Sequence, residues 1–288
     1  MRCHANLAGV EVGDGCSVRI VGAINVSPES FYGGSVATDR RQLQHVARRM
    51  AADGADVLDV GAMSTAPYRK GWIPEGEEIR RVTSAVRTLV NLVEIPISVD
   101  TQRAAVASAA FDAGARILND VSGLGADAGM ASVARGAQGL ILMAREEGPS
   151  TDAPIAAVRA ALRAGLRRAR AAGIPPTRIV LDPGIGFFRH GAVPWVAFDC
   201  AVLRDLARLR ALGRPLLVGA SRKSFIGTLT GRERPEERLA GSLAAAVAAV
   251  LAGAAMIRTH DVAPTLDAVR VAQAVREGLA PSPRARLR

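Results

Sequence analysis

The sequence predicts an α/β protein built as one (β/α)8 TIM barrel. Three observations lead there. Eight short apolar runs alternate with longer amphipathic runs, without a linker-like break, as expected of strands each followed by a covering helix. The chain has 288 residues, 49% hydrophobic but only 3% aromatic. Such a length suits one barrel, and an Ala, Val, Leu and Ile core suits buried parallel strands under alanine-rich helices. Polar side chains also recur where the apolar runs finish. A doubly wound open sheet is the alternative; eight repeated units and the length favour closure.

The first strand is SVRIVGAIN (17–25). The loop NVSPESFYGGS (25–35) follows, rich in Pro, Ser and Gly, with Phe31 and Tyr32 able to cover a planar ligand, and a helix starts near Thr38. The second strand is ADVLDVG (55–61). Its loop, GAMSTAPYRKGWIPEGEE, is long for a βα connection and reads as a lid or clamp that carries Arg69 and Lys70 toward a phosphate. The remaining strands are PISVDT (96–101), ARILNDV (115–121), GLILMA (139–144), RIVLDPG (178–184), PLLVGAS (215–221) and AAMIRTHD (254–261). Glycine stands just before several strands, in ADGADVLDV, DAGARILND, RGAQGLILM and LAGAAMIRT, as the residue that closes a helix in the left-handed conformation. The predicted organisation is an N-terminal extension or cap over 1–16, the barrel over 17–277, and a basic tail over 278–288.

The net charge is +10 and 37 residues are Lys or Arg. The arginines are dispersed over several helical runs rather than gathered on one face. They therefore suit anionic small-molecule substrates better than nucleic acid. No run reaches the roughly 18 apolar residues of a membrane span, and the N-terminus lacks an apolar signal core, so the expectation is cytoplasmic. Cys3, Cys16 and Cys200 show no CxxC pairing, which points to neither a disulfide framework nor a zinc site.

The polar strand ends carry the chemistry: Asn25, Asp59, Asp100, Asn119, Asp182, Ser221 to Lys223, Arg258 and His260. In a barrel these ends converge on one face, and charges there are costly unless paired or used. Taken alone, Asp100 before TQRAAVASAAF would pass for an ordinary helix cap. Together, Asp100, Asn119, Asp182 and Lys223 offer the donors and acceptors that read the edge of a heterocycle rich in N–H and C=O groups. Met143 and Phe187 supply apolar faces. Arg258 and His260, with Asn25 nearby, suit an anion. Only Lys70 and Lys223 among the 37 cations are lysine; a compact ammonium on a slim stem fits where a guanidinium fork does not.

At these residues the sequence resembles dihydropteroate synthase, of the pterin-binding barrel superfamily. The matching stretches are NVSPESF, GADVLDVGAMSTAP, ISVDTQRAAVASAAFDAGARILNDVSGL, LDPGIGF, VGASRKSFIG and IRTHDV, in family order from about residue 20 to residue 275. The resemblance implies a transferase that displaces diphosphate from 6-hydroxymethyl-7,8-dihydropterin diphosphate with an aromatic amine, by an SN1-like process. It implies a pterin pocket of Asp100, Ile117, Asn119, Met143, Asp182, Phe187 and Lys223, and a diphosphate site of Asn25, Arg258 and His260 with Mg²⁺ at Asn25. It implies an amine side near Phe31, Thr65, Pro67, Arg69, Lys70, Ser221, Arg222 and Ser224. Asp100, Lys223, Arg258 and His260 would carry the catalysis. The family also implies a homodimer, and LAGSLAAAVAAVLAG is an apolar helix that would suit a partner or the barrel strands equally.

Two departures bear on the amine. The family's Ser-Thr-Arg-Pro reads STAP here, with Ala66 in the arginine's place, and the Met-His pair at the fifth strand's end reads Met143–Ala144. SPESFYGGS and GAMSTAPY resemble the tetrahydromethanopterin branch, which implies 4-(β-D-ribofuranosyl)aminobenzene 5′-phosphate as the amine. The alternative is p-aminobenzoate, in folate biosynthesis. A pterin-dependent methyltransferase and a non-catalytic pterin-binding protein are the further alternatives.

Overall fold

All eight predicted apolar runs form strands in the computed structural model, which describes residues 3–27, 39–63, 72–146, 148 and 153–278. A hairpin of β1 (His4–Leu7) and β2 (Val10–Gly13) precedes them. The barrel strands are β3 (Arg19–Asn25), β4 (Val57–Gly61), β5 (Ile97–Asp100), β6 (Ile117–Asp120), β7 (Gly139–Met143), β8 (Ile179–Asp182), β9 (Leu217–Val218) and β10 (Met256–Thr259). They pair in parallel in the order β8-β7-β6-β5-β4-β3-β10-β9. A parallel bridge between Leu181 and Leu216, with the Leu181 N–H donating to Pro215 O at 2.9 Å, joins β8 to the segment entering β9. The sheet thus closes on itself and leaves no exposed edge.

The outer layer follows from amphipathic helices. They are α1 (Arg40–Ala52), α2 (Glu75–Val90), α3 (Ala104–Asp112), α4 (Met130–Arg135), α5 (Pro154–Ala171), α6 (Trp195–Arg204), α7 (Ser224–Thr230), α8 (Leu239–Leu251) and α9 (Val262–Glu277). In α2 the buried stripe is Glu78, Val82, Ala85, Val86 and Leu89, the three-to-four spacing of a helix face laid on a sheet. Gly54, Gly114 and Gly253 have positive φ before β4, β6 and β10, as expected of helix-closing glycines, whereas Gly136 before β7 is right-handed, with φ −77°.

Strand alternation splits the core in two. Outward residues such as Ile20, Leu58, Val60, Ile97, Leu118, Leu140 and Leu181 pack under the helices. Inward residues Val21, Val57, Ile117, Ile141, Val180, Leu217 and Met256 form an apolar floor inside the barrel with Ala5, Leu7 and Val12 of the hairpin. Residues 4–13 thus plug the barrel's amino-terminal end. The Ala8 N–H donates to Gln138 O at 3.2 Å, and a Cβ on Gly139 would lie 2.8 Å from Leu7 Cδ2. Because side chains alternate with a period of two, the next inward residues above this floor are Ala23, Asp59, Asn119, Met143, Asp182, Gly219 and Arg258, with Ser98 and Asp100 on β5. The sequence therefore places a polar layer directly on an apolar one.

Candidate active site

Arg258, on β10, organises the polar layer. Its Nε donates to Asp59 Oδ2 at 2.6 Å and a terminal nitrogen donates to Asp100 Oδ2 at 3.0 Å. Asn119 Nδ2 donates to the same Asp59 oxygen at 2.9 Å. One arginine and one amide, from β10 and β6, thus tie together carboxylates from β4 and β5. The other oxygens, Asp59 Oδ1 and Asp100 Oδ1, are buried and have no hydrogen-bond partner among the described residues. A buried acceptor left unmade costs about 1–3 kcal/mol. Here two of them flank one cation.

Burial pushes the Asp100 carboxyl up to about 7; Arg258 pulls it down, and Asp59, Glu78 and Asp120 push it further up. Asp182 is also raised by burial, against the pull of Lys223. Its Oδ1 accepts the Gly184 N–H at 2.7 Å. Gly184, at φ +73°, has no room for a side chain, since a Cβ there would lie 2.5 Å from Ala144 O. Burial lowers Lys223 to about 8, with Asp182 acting in the opposite direction. Its ammonium donates to Ile185 O at 2.5 Å and lies 4.9 Å from the centre of the Phe187 ring. Lys223, Phe187 and Asp182 thus gather beside this layer with Met143, which pairs with Asp182 across β7 and β8.

His260 is buried and held down to about 3, first by burial and then by Arg258. It is therefore a neutral imidazole, with Nδ1 3.0 Å from Ser221 Oγ. Its expected role toward an anion would be that of a neutral hydrogen-bond donor. Asn25 ends β3 opposite Gly61.

Two predicted residues stand elsewhere. Ile117 belongs to the apolar floor with Leu7, one inward position beneath Asn119; the buried apolar residue at that strand's carboxyl end is Val121. Arg222, expected on the amine side, is 4% exposed. Its guanidinium is bidentate on Asp261 and also donates to Pro235 O and Glu236 O. It adopts φ +57°, and this turn aims it at α9 and the chain before α8. Phe31, Thr65, Pro67, Arg69 and Lys70, with Ala66, lie outside the described residues. Ala144 is buried, and its N–H donates to Asp182 O at 2.8 Å.

Neither Glu78 nor Asp199 is singled out from the sequence, and Asp59 is given no partner there. Asp59 appeared among the polar strand ends but without a role. Glu78 accepts from Thr101 Oγ1 at 2.8 Å and Arg103 at 2.7 Å, bracing the chain just beyond Asp100. Asp199 accepts the Gly186 N–H at 2.8 Å, and burial pushes it up to about 6. The available signal was a carboxylate on an otherwise apolar face: Glu78 with Val82 and Val86, Asp199 with Phe198 and Val202.

Comparison with known proteins agrees with this geometry. Residues 21–260 match the pterin-binding enzyme family. The dihydropteroate synthase of Mycobacterium leprae (strain TN) is 38% identical over 268 residues, covering 88% of this chain and 92% of the relative. That of Synechocystis sp. is 35% identical over 264 residues, covering 89% of each. A Yersinia pestis dihydropteroate synthase solved with a sulfonamide drug superposes with a TM-score of 0.86 at 33% identity, over 96% of this chain and 99% of that one. The Xanthomonas albilineans enzyme solved with 4-aminobenzoic acid superposes with a TM-score of 0.83 at 38% identity, over the same shares. The chain belongs to the dihydropteroate synthase family of pterin-binding transferases.

Proposed function

We propose that this protein is a dihydropteroate synthase that joins 6-hydroxymethyl-7,8-dihydropterin diphosphate to p-aminobenzoate and releases diphosphate. The observation that carries the reading is the pair of buried, unpartnered acceptors, Asp59 Oδ1 and Asp100 Oδ1, beside Asp182 and Lys223. A pterin edge offers several N–H donors and one carbonyl, which complement carboxylates and an ammonium. The reaction breaks the C–O bond to diphosphate, which keeps the electron pair, and forms a C–N bond from the amine lone pair, after which the amine nitrogen loses a proton. Positive charge developing on the pterin faces Asp100, so the anionic form of that carboxylate favours the step. Arg258 holds Asp100 in place, and Lys223 fills the slot beside Phe187.

Asn25, at the end of β3, would hold Mg²⁺ together with diphosphate oxygens. An amide oxygen is a hard ligand of the kind Mg²⁺ takes alongside waters and phosphates. When bound, the metal would neutralise charge on the leaving diphosphate.

The ribofuranosyl amine is not supported by any observation on the described residues, and its expected partners, Arg69 and Lys70, lie outside them. The named relatives favour p-aminobenzoate: they are dihydropteroate synthases, and one was solved with that acid. The test is diphosphate release from the pterin diphosphate with each amine in the presence of Mg²⁺. Turnover with p-aminobenzoate is expected. Release only with the ribofuranosyl amine would reverse the assignment, and tight pterin binding without release would leave a binding protein.

A further inference from the structure

We propose that Arg189 is a positioning residue for the anionic end of the aryl amine, acting through the hydroxyl of Ser224. The inference rests on the p-aminobenzoate reading above and adds the element that selects its carboxylate.

Arg189 lies in the loop between β8 and α6, and several contacts fix it. Its backbone N–H donates to Glu146 Oε2 at 2.8 Å, and the Glu146 side chain is only 7% exposed. Its guanidinium carbon sits 3.9 Å from the centre of the Trp195 ring. Its Nε donates to Gly186 O at 3.0 Å. The plane and direction of the fork are thereby set, and a terminal nitrogen donates to Ser224 Oγ at 3.0 Å. A side chain with several rotatable bonds is ordered at an entropic cost.

The location ties this contact to the pocket. A Cβ built on Gly186 would lie 3.3 Å from Lys223 Cδ and 3.8 Å from an Arg189 terminal nitrogen. The guanidinium and the lysine stem therefore flank the same glycine. Ser224 directly follows Lys223, and Phe187, under the ammonium, lies two residues before Arg189. The Arg189–Ser224 pair therefore adjoins the Lys223–Phe187 contact. Both residues are half-buried, so neither is sealed in the core.

The hydrogen-bond polarity then determines what can bind. Ser224 Oγ accepts from Arg189, so its own hydrogen must be donated elsewhere. No described residue accepts it. A hydroxyl polarised by a neighbouring cation is a strong donor to an anionic oxygen, and charge-assisted bonds are about twice as strong as neutral ones. A carboxylate on the ring, opposite the reacting amine, is the group that this pair would receive.

The bland alternative is that Arg189 merely staples its loop, and substrate selectivity separates the two. Diphosphate release is measured with p-aminobenzoate and with its neutral methyl ester for the wild type, Arg189→Met, Arg189→Lys, Ser224→Ala and the Arg189→Met/Ser224→Ala double variant. In Arg189→Met the KM for p-aminobenzoate is expected to rise about tenfold, the worth of one charge-assisted bond. The preference for the acid over the ester should fall with it, while the KM for the pterin diphosphate moves less than about twofold. Lysine should restore part of the loss, and the double variant should be no worse than the poorer single variant, because both remove one interaction. An unchanged KM for p-aminobenzoate, or equal losses with the neutral ester or the pterin diphosphate, would overturn the proposal. Additive losses would show that Arg189 does not act through Ser224. If Arg189→Met does not fold, Arg189→Gln carries the same comparison with a polar side chain that keeps part of the stem. Wild-type enzyme that gives no product with p-aminobenzoate would instead overturn the amine assignment itself, an outcome distinct from normal turnover with unaltered variants.

Discussion

Replacing Asp59 with Asn tests the polar layer most directly, because it removes one charge and keeps the shape. Asp59 is 0% exposed, and one of its oxygens accepts from both Arg258 and Asn119. An amide oxygen can still accept both bonds, so the loss is electrostatic. Breaking a buried ion pair from one side costs about 3–5 kcal/mol. Arg258 retains Asp100 at 3.0 Å, which puts the expected cost at the lower end, about 3 kcal/mol. For a domain of this size each kcal/mol shifts the melting temperature by about 2–4 °C, so the drop should be roughly 6–12 °C. A second consequence follows with a definite sign. Asp59 is one of the charges that push the Asp100 carboxyl up toward about 7. Without it, and with Arg258 now serving a single carboxylate, Asp100 ionises at lower pH. The acid limb of kcat/KM should therefore move down in pH even as overall activity falls. Calorimetry and a pH series of diphosphate release check both. A melting point within about 2 °C of wild type, together with an unmoved acid limb, would refute the account of Asp59 as the shared anchor of Arg258.

The wild-type enzyme should show a bell-shaped kcat/KM profile with its maximum between about 7 and about 8: Asp100 carries its charge only above about 7 and Lys223 keeps its charge only below about 8. The limbs belong to the interacting set, and activity that stays flat from pH 6 to 9 would count against both assignments. Lys223→Arg should reduce kcat/KM by at least about tenfold, because a planar fork does not reproduce the compact ammonium held between Ile185 O and the Phe187 ring; near-normal turnover would mean that SRKSF matters for its loop shape. Asp182→Asn should weaken pterin binding by roughly 10- to 100-fold, through loss of a charged acceptor, readable by calorimetric titration; unchanged affinity would remove Asp182 from the pocket.

Much of the architecture is legible without coordinates. Strand and helix periodicity are local properties, and the apolar runs that predict eight strands are the eight that form the barrel. The polar residues at their ends are also local, so Asp100, Asn119, Asp182, Lys223 and Arg258 could be picked out before any of them was seen to meet. Strand parity was legible too: Ile117 and Asn119 differ by two positions, so both face inward at different depths. The family resemblance implies Ile117 in the pocket, whereas counting depth along the strand puts it in the floor with Leu7.

The partners of each charge were decided only by the tertiary structure. Asp59 and Arg258 are 199 residues apart in sequence, and no local rule says that one arginine will serve carboxylates from β4 and β5. Arg222 and Lys223 are neighbours in SRKSF, yet a positive φ at Arg222 sends its side chain to Asp261 while Lys223 enters the pocket. By residue type His260 suits an anion, but only its burial beside Arg258 decides that it does so as a neutral donor. That residues 4–13 fold as a hairpin was not legible, because a four-residue strand carries little periodic signal until Leu7 meets Gly139. Composition and spacing are properties of the chain, so the sequence alone determined a barrel with a polar rim. Ionisation, pairing and depth depend on distances between segments far apart in sequence, and these exist only once the barrel has closed.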